Sequence, residues 1–370
     1  MNTSPNWATA PSADECEVSV FGPGYGEGIL IHLGNNEWMV IDSCIDPATD
    51  RPVSLDYLEA IDVDPATAVK VILATHWHDD HIAGLDDVVI ASPNASFFFS
   101  SALKTVEFLT MIKAADQDSL IISSGSSVFS RIITAFEERV KNNNRPGPQA
   151  ASAYMILWRD GANRVEALSP GADAYERSLR EIASLMPEVK TAKRRLVNRP
   201  LNETSVVALV VFGDCISLLG ADLQELGSPV RGWSEIIESD RRPRVRAKVF
   251  KVPHHGAANA HHPGIWTDLL DENPIAVLTP FIKGLVSLPT EEDRARVRAL
   301  SDQSFVTNPS SRRTPPRRTK VVEKLLRQRK HPIIPLNGDM GQVRCRKVLN
   351  SDIPWSVERF GAADVLRSTG

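Results

Sequence analysis

The sequence predicts an α/β fold, because strand-like and helix-like segments alternate along it and clusters of polar residues follow two of the strands. Short apolar runs rich in β-branched residues, such as residues 69–74, are typical of strands buried in a sheet. Residues 103–114 and 128–141 have apolar positions at helical spacing. Residues 142–148, rich in asparagine, proline and glycine, are predicted to be a mobile connection.

The first predicted elements are the two strands of a β-hairpin. Residues 28–33 and 37–42 have strand character and flank Gly34-Asn35-Asn36, which is a turn signal. The next strand, residues 69–74, is predicted to be buried in a sheet. It leads directly into a segment that is unusually rich in histidine.

This loop after residue 74 holds three of the nine histidines in the chain. His76 and His78 are two residues apart and can point the same way from an extended segment, while Asp80 and His81 can turn toward a second point nearby. Imidazole nitrogens and carboxylate oxygens are the ligands of zinc and of similar divalent ions such as manganese or iron. The cluster therefore predicts a site for one or two divalent metal ions.

Three further strands are predicted in the second half, and they are residues 206–212, 216–219 and 247–252. The first two are joined by a hairpin turn, and the second runs into Asp222, which could be a metal ligand or an ordinary turn or helix-capping residue. The third is followed by His254 and His255 in a turn marked by proline and glycine. His261 and His262 are explained as exposed polar residues or as a helix entry.

These motifs resemble those of a known family. His76-x-His78-x-Asp80-His81 is similar to the HxHxDH signature of metallo-β-lactamase-fold hydrolases. Pro253-His254-His255-Gly256 resembles the PHHG of a narrower branch, typified by the metallo-β-lactamase-like domain of the DNA-uptake channel protein ComEC and by a choline-phosphate esterase. The resemblance covers about residues 15–285 and implies an αβ/βα four-layer sandwich with helical insertions. The metal site would lie at one edge, assembled from loops of both halves.

The resemblance also implies roles for single residues. Asp222 would bridge two metal ions, and His255 would ligate the second ion. His254 would contact the scissile phosphate or protonate the leaving oxygen, because histidine titrates near neutrality; the reverse assignment of the two histidines stays open. Asp42 could orient a histidine ligand or be a turn residue. The candidate catalytic residues are His254 and Asp80, and the candidate metal ligands are His76, His78, Asp80, His81, Asp222 and His255.

One departure from the wider family concerns the first metal ion. No histidine lies between residues 82 and 222, although many dinuclear members have one there. The absence fits the ComEC-like branch. It leaves open coordination positions, which a catalytic metal needs, and either zinc or manganese is expected as the cofactor.

A chain of 370 residues is expected to form one large domain with insertions. The predicted organisation is a flexible N-terminus at 1–14, a single metallo-β-lactamase-like domain at 15–350 with a helical insertion at about 101–150 and a basic segment at about 310–330, and a C-terminal tail at 351–370. Residues 342–348 are predicted to be a last strand that completes the second half.

The remaining sequence features bear on the compartment. No apolar run approaches the roughly 20 residues needed to span a bilayer, and the N-terminus lacks the basic and apolar regions of a signal peptide. We therefore expect a soluble, cytoplasmic protein without membrane contact, of open oligomeric state. Its scattered cysteines are interpreted as reduced structural thiols: Cys16, Cys44, Cys215 and Cys345.

The charge pattern bears on the substrate. The net charge is only -4, so the whole molecule has no general attraction for polyanions. Three basic runs stand out, at residues 190–199, 241–251 and 312–330. They could be solvated faces, or they could neutralise phosphates along a DNA strand and bind it in a salt-sensitive way. The arginines around Pro315-Pro316 could equally contact a protein partner.

The preferred hypothesis is a metal-dependent phosphodiesterase, a nuclease that hydrolyses DNA with metal-activated water. A partner complex such as a defence system could control it. The first alternative is a hydrolase of a small lactone, β-lactam or phosphorylated headgroup, because the same fold serves several chemistries. The alternative from another class is a regulatory or binding subunit with a quiet metal site.

Overall fold

The protein folds into two eight-stranded sheets that pack face to face, as a computed structural model describes for residues 7–101, 124–143, 147–185, 202–309 and 338–368. Helices cover the outer face of each sheet. This arrangement confirms the predicted αβ/βα four-layer sandwich. Within the described ranges, no helix has both the length and the apolar character needed to cross a membrane.

The first sheet has the strand order β20-β19-β1-β2-β3-β6-β7-β8. Its strands are β1 (Glu15–Gly22), β2 (Gly28–His32), β3 (Trp38–Ile41), β6 (Val69–Ala74), β7 (Ser96–Ser100), β8 (Gln149–Ala151), β19 (Gly341–Val348) and β20 (Ser356–Gly361). Two short strands, β4 (Ile45–Asp46) and β5 (Arg51–Pro52), pair with each other outside it.

The second sheet has the order β21-β18-β15-β14-β12-β11-β10-β9. Its strands are β9 (Ile156–Asp160), β10 (Asn163–Ala167), β11 (Ala208–Phe212), β12 (Cys215–Leu219), β14 (Ala247–Lys251), β15 (Leu270–Leu278), β18 (Ser304–Val306) and β21 (Asp364–Val365). Beside it lie β13 (Glu225–Ser228) and the hairpin of β16 (Phe281–Lys283) and β17 (Val286–Leu288).

The described α-helices are α1 (Val53–Ala60), α2 (Pro65–Ala68), α3 (Asp79–Ile82), α4 (Leu85–Ala91), α5 (Ser124–Asn143), α6 (Ala172–Leu185), α7 (Gly232–Glu238) and α8 (Glu291–Leu300). Helix α5 confirms the helix predicted at 128–141, and it packs against α3 and α4. The helix predicted at 103–114 lies outside the described residues, as does part of the connection predicted at 142–148.

The main core fills the space between the two sheets. Val20 and Ile31 of the first sheet and Val210 and Val249 of the second belong to one buried apolar cluster. A second cluster packs α1 and α4 on the outside of the first sheet, and a third packs α7 and α8 on the outside of the second. Alternate residues of a strand therefore face either the intersheet core or a helix layer, which explains why these strands are apolar on both faces.

Parallel pairing determines where a site can form. Strands β3, β6 and β7 run parallel in the first sheet, and β12, β14 and β15 run parallel in the second. In open α/β sheets, ligands bind beyond the carboxyl ends of parallel strands. The loops after β6, β12 and β14 supply the six candidate metal ligands described below, and the loops after β3 and β15 supply two of their hydrogen-bond partners.

Both predicted hairpins are confirmed. Strands β2 and β3 pair antiparallel with Ile29 opposite Ile41, and β11 and β12 pair with Phe212 opposite Cys215. The strand predicted at 69–74 is β6, and the strand predicted at 247–252 is β14. The cysteines are free and buried.

The placement predicted for the last strand was wrong. Strand β19 does not complete the second half but pairs antiparallel with β1 of the first sheet, with Glu17 opposite Arg346. Both Arg346 Nε and Nη2 lie 2.7 Å from Glu17 Oε2 in a buried ion pair. This charge match, together with pairing along the whole of β1, fixes the strand in the first sheet.

The chain beyond residue 350 is also part of the sheets. Strand β20 pairs with β19, and β21 pairs with β18, so the two strands join different sheets. They fall within the predicted C-terminal tail. The division of the chain into one domain with insertions stays a prediction. The first six residues and the basic segment at 310–330 lie outside the described residues.

Candidate metal centre

The first half of the chain contributes four predicted ligands from one short segment. Strand β6 ends at Ala74, and the extended residues after it carry His76 and His78. Helix α3 then begins at Asp79 and presents Asp80 and His81, with the His81 N–H donating to His78 O at 2.9 Å. His76, Asp80 and His81 are buried, whereas His78 is partly exposed.

The second half contributes two more predicted ligands from adjacent loops. Asp222 follows β12, and His255 follows β14. The His254 N–H donates to Ala221 O at 2.9 Å, which ties the two loops together. Asp222 is followed by β13 rather than by a helix, so the helix-capping alternative for Asp222 was wrong.

The six predicted ligands converge into two groups that share one carboxylate. His76, His78 and Asp222 form one group, and Asp80, His81, Asp222 and His255 form the other; in each group the ligand atoms lie within 4.8 Å of one another. Asp222 Oδ2 lies 3.8 Å from His76 Nε2 and 3.4 Å from His255 Nε2. The shared position of Asp222 suits a carboxylate that bridges two ions.

Unpartnered buried atoms test whether these residues fit a metal. Within the described residues, the Nε2 atoms of His76, His81 and His255 and the Oδ1 atom of Asp222 are buried without a hydrogen-bond partner. Buried polar groups without a partner are rare and unfavourable. Imidazole nitrogens and a carboxylate oxygen are the donor set of zinc and manganese sites, so the residues present fit such an ion.

The outer ring nitrogens of the histidines are fixed by hydrogen bonds. His81 Nδ1 donates to Asp42 Oδ2 at 2.7 Å, and His255 Nδ1 donates to Thr279 O at 3.0 Å. Such bonds set the tautomer and aim Nε2 at the metal position. Asp42 therefore orients a histidine, which was one of the two alternatives predicted for it. Its positive φ of 55° agrees with the other alternative, a residue in a turn of the chain.

The pKa shifts of the buried groups show that the carboxylates of the centre favour positive charge beside them. Burial alone would lower the pKa of His255, but the carboxylates of Asp222 and Asp80 raise it to about 9. Burial opposes ionisation of Asp222, yet His255 and His81 hold its pKa well below the usual range. Against the effect of burial, the same carboxylates also raise the pKa of His81, so they favour positive charge at this position. A divalent ion would supply that charge.

The other histidines among the described residues lie outside the two groups. His254 Nε2 lies 3.1 Å from Asn202 Nδ2, and His254 Nδ1 lies 2.9 Å from Asn259 Oδ1. Burial lowers the pKa of His254. His262 Nδ1 accepts the Gly264 N–H at 2.9 Å just before a helical turn, which agrees with the helix-entry interpretation.

Sequence reasoning missed two charged residues of the centre. Glu27 lies between β1 and β2, and Lys251 is the last residue of β14; both side chains are buried, and they form an ion pair of 2.6 Å. The basic run at 241–251 was interpreted as a solvated face or a phosphate-binding patch, and neither interpretation holds for Lys251, which is buried. A signal was present, because Lys251 stands in an apolar strand four residues before His255.

The part of the chain that holds the first four candidate ligands is similar to a known protein family. Residues 22–108 match the family model of the metallo-β-lactamase superfamily. This segment of the chain is similar to that superfamily. No curated protein matches it.

Solved structures similar to this chain include two metallo-β-lactamases and PqqB. The metallo-β-lactamase SMB-1 bound to 2-mercaptoethanesulfonate is 14% identical, with a TM-score of 0.31 over 60% of this chain and 68% of that chain. MEM-A1, a subclass B3 metallo-β-lactamase from a soil metagenome library, is 13% identical, with a TM-score of 0.32 over 67% and 81%. Zn(2+)-bound PqqB from Methylobacterium extorquens is 10% identical, with a TM-score of 0.29 over 58% and 54%.

The superfamily match ends well before the second half of the chain. It includes His76, His78, Asp80 and His81, and it stops at residue 108. Asp222 and the residues after it are therefore assigned to the centre by geometry alone. The narrower ComEC-like resemblance stays a prediction.

Proposed function

We propose that the protein is a metal-dependent phosphodiesterase that acts on DNA. The observation that carries the metal-dependent part is the convergence of three unpartnered imidazole nitrogens on the Asp222 carboxylate. The DNA-directed part is supported by the sequence motifs and by the side chains at the rim of the centre.

The residues of the centre have distinct roles in this proposal. His76, His78 and Asp222 would hold one ion, and Asp80, His81, Asp222 and His255 would hold the other. When bound, such ions would lower the pKa of a water molecule and neutralise the charge that develops on the phosphoryl oxygens. Asp42 keeps the His81 ring in its orientation, since its carboxylate accepts the Nδ1 proton.

His254 remains the candidate for contact with the substrate. His254 lies in the loop after β14, and its backbone N–H donates to Ala221 O, next to Asp222. Its ring lies between the side-chain amides of Asn202 and Asn259. In this arrangement Nε2 accepts from Asn202 and Nδ1 donates to Asn259. The ring would therefore have to exchange one of these amide partners for the substrate before it could donate to a phosphate oxygen or to the leaving oxygen. In this proposal His254 is the residue that assists the departing alkoxide.

An aromatic and cationic rim beside the centre favours a nucleotide substrate. The Phe281 ring lies 5.2 Å from the His255 ring, and the Tyr25 ring lies 5.4 Å from Phe281. Lys283 Nζ donates to the Tyr25 hydroxyl at 2.7 Å and is exposed. Aromatic rings can stack on bases, and an ammonium can contact a phosphate, which is the combination found in single-strand binding surfaces.

The basic runs give uneven support to DNA binding. In the run at 241–251, Arg242 pairs with Asp268 at 2.7 Å, Lys248 donates to two backbone carbonyls, and Lys251 is buried. Few cations of this run are therefore available to phosphates. The runs at 190–199 and 312–330 lie outside the described residues and stay predictions, as does a protein partner.

The test incubates metal-free protein with Mn²⁺ or Zn²⁺ and labelled single- and double-stranded DNA. We expect cleavage by the wild type and its loss in His78→Ala and Asp80→Ala. His262→Ala serves as the matched control, since this histidine lies outside both ligand groups, and it should cleave like the wild type. A panel of lactones, β-lactams and phosphorylated headgroups runs in parallel.

Three outcomes would contradict the proposal in different ways. Intact DNA with turnover of a small ester would favour the small-molecule hydrolase. Metal binding without hydrolysis of any ester would favour a regulatory subunit with a quiet site. Equal cleavage by the wild type and both ligand variants would mean that a contaminating nuclease is responsible.

A further inference from the structure

A buried ion pair lies directly behind the candidate ligands. Glu27 Oε2 and Lys251 Nζ are 2.6 Å apart, and both side chains are almost completely inaccessible to solvent. Burying two charges is unfavourable because both lose their hydration, and replacing such a pair by apolar residues is often neutral or stabilising. The pair therefore needs an explanation other than stability.

Its position spans the two halves of the fold. Glu27 immediately precedes β2 of the first sheet, and Lys251 ends β14 of the second sheet. The candidate ligands are divided in the same way, with Asp80 and His81 from the first half and Asp222 and His255 from the second. The pair thus crosses the boundary that the ligand set must also cross.

The Lys251 end of the pair contacts the Asp222 loop. Lys251 Nζ donates to Ala221 O at 3.0 Å and lies 3.9 Å from Asp222 Oδ1. Ala221 has a positive φ of 44°, an unfavourable conformation for alanine. The hydrogen bond from Lys251 holds this backbone segment, and so it holds the position from which Asp222 projects.

The Glu27 end contacts the other ligand segments. The Glu27 N–H donates to Asp80 O at 2.8 Å. Glu27 Oε2 accepts a short hydrogen bond from Thr279 Oγ1, and Thr279 O accepts the Nδ1 proton of His255. Glu27 Oε1 lies 4.0 Å from His81 Nδ1 and has no hydrogen-bond partner among the described residues. Glu27 therefore contacts the Asp80 segment through its backbone, and its carboxylate lies against Thr279, which supports His255, and near the His81 ring.

The pair as a whole leaves the net charge of the centre unchanged, because the Lys251 ammonium cancels the Glu27 carboxylate. Glu27, Asp42, Asp80 and Asp222 are four buried carboxylates, and Lys251 is the single buried ammonium beside them among the described residues. With neutral histidines this leaves three negative charges for bound cations to balance. Loss of Lys251 alone would leave four, and loss of the Glu27 charge alone would leave two.

We infer that Glu27 and Lys251 are positioning residues that hold the two halves of the metal centre in register for ion binding. Neither side chain is a ligand in this inference. It rests on the metal site of the proposed function, but it does not depend on the substrate. Its test therefore measures metal binding and unfolding rather than hydrolysis.

The experiment titrates metal-free protein with Mn²⁺ by calorimetry and measures urea unfolding of the same samples. The variants are Glu27→Gln, Lys251→Met and the double variant Glu27→Gln/Lys251→Met. The matched control is Glu17→Gln, which breaks the equally buried Glu17–Arg346 pair away from the centre. Each variant removes a buried charge with little change of side-chain volume.

We expect each single variant to weaken Mn²⁺ binding by about 10- to 100-fold, the effect usual for a lost outer-shell partner. The double variant leaves no unpaired buried charge, so its unfolding midpoint should recover toward the wild type while its affinity does not. The control should lose stability but bind Mn²⁺ within about twofold of the wild type, because the two sites do not share contacts.

Recovery of affinity together with stability in the double variant would overturn the inference, since the pair would then matter only for folding. Wild-type affinity in Glu27→Gln would overturn it as well. Failure of the wild type to bind any divalent ion would refute the proposed function and this inference together. Wild-type binding with unchanged variants would refute this inference alone.

Discussion

Asp42→Asn is the substitution that most directly tests how the centre is built. Asp42 Oδ2 accepts from His81 Nδ1 at 2.7 Å and from Thr75 Oγ1 at 2.6 Å, and Oδ1 accepts from Thr75 N at 2.7 Å. Asparagine tolerates the positive φ of this position, so the backbone should keep its conformation. The asparagine amide, however, has only one acceptor oxygen. Its NH₂ group would face one or more of the donors from Thr75 and His81 that the second carboxylate oxygen now accepts.

The size of the effect follows from these contacts. Loss of the carboxylate leaves the His81 ring without the acceptor that fixes its tautomer, and such losses weaken metal binding by about 10- to 100-fold. This corresponds to about 1.4 to 2.8 kcal/mol of binding free energy. Unfolding free energy should also fall by about 1 to 3 kcal/mol, because a buried donor loses its partner.

Calorimetric titration of metal-free protein with Mn²⁺ measures the first effect, and urea unfolding measures the second. Asp293→Asn is the matched control, because Asp293 is also buried and accepts from Thr290 N and Oγ1 in the capping box of α8. It should lose about 1 kcal/mol of stability and keep its metal affinity. An Asp42→Asn protein that binds Mn²⁺ within about twofold of the wild type would refute the reasoning.

Three further predictions concern the ligands and the pH dependence of stability. His255→Ala should lower the metal content of purified protein, measured by elemental analysis, whereas His261→Ala should not, because only His255 belongs to a ligand group. Burial and Asp173 raise the pKa of Glu235 from 4.5 to about 7, so its contribution is fully present below pH 4.5 and is lost as pH rises through 7. Glu235→Gln should therefore be more stable than the wild type at pH 8, by about 1 to 3 kcal/mol in urea unfolding, and equal stability there would contradict this. Burial lowers the pKa of His32 from 6.5 to about 4, so the folded state keeps this ring neutral and stability falls as pH drops below 6.5. At pH 5 this loss should be about 2 kcal/mol, and His32→Gln should show a smaller decrease between pH 7 and pH 5 than the wild type.

Much of the centre could be predicted from sequence because its ligands are local in the chain. His76, His78, Asp80 and His81 occupy six consecutive residues, so their proximity requires only one loop. The ligand roles of Asp222 and His255 were predicted from the family resemblance, and the structure shows why these two residues lie near the first four. Each follows a strand of recognisable pattern, and parallel strands bring their carboxyl ends to one edge of a sheet.

The position of β19 could not be predicted in the same way. A strand pattern determines which side chains share a face, but it does not determine which strand lies alongside. The partner of β19 is β1, more than 300 residues earlier, and the contacts that select it are specific charges such as Arg346 with Glu17. Such a pairing of charges can be recognised only once it is known that the two strands are neighbours.

Lys251 shows why charge patterns in a single sequence mislead at a metal centre. Its neighbours in the chain, from Arg241 to Lys248, are basic and partly exposed, and a run of like charges ordinarily indicates a solvated face. The alternation of β14 instead turns Lys251 inward, where Glu27 compensates it. A buried cation is tolerated there because the Glu27 carboxylate pairs with it and the Asp222 carboxylate lies 3.9 Å away. The positive charge of Lys251, which suggested a surface position, is therefore buried because it compensates negative charge at the centre. The same excess of negative charge makes the centre suited to metal ions.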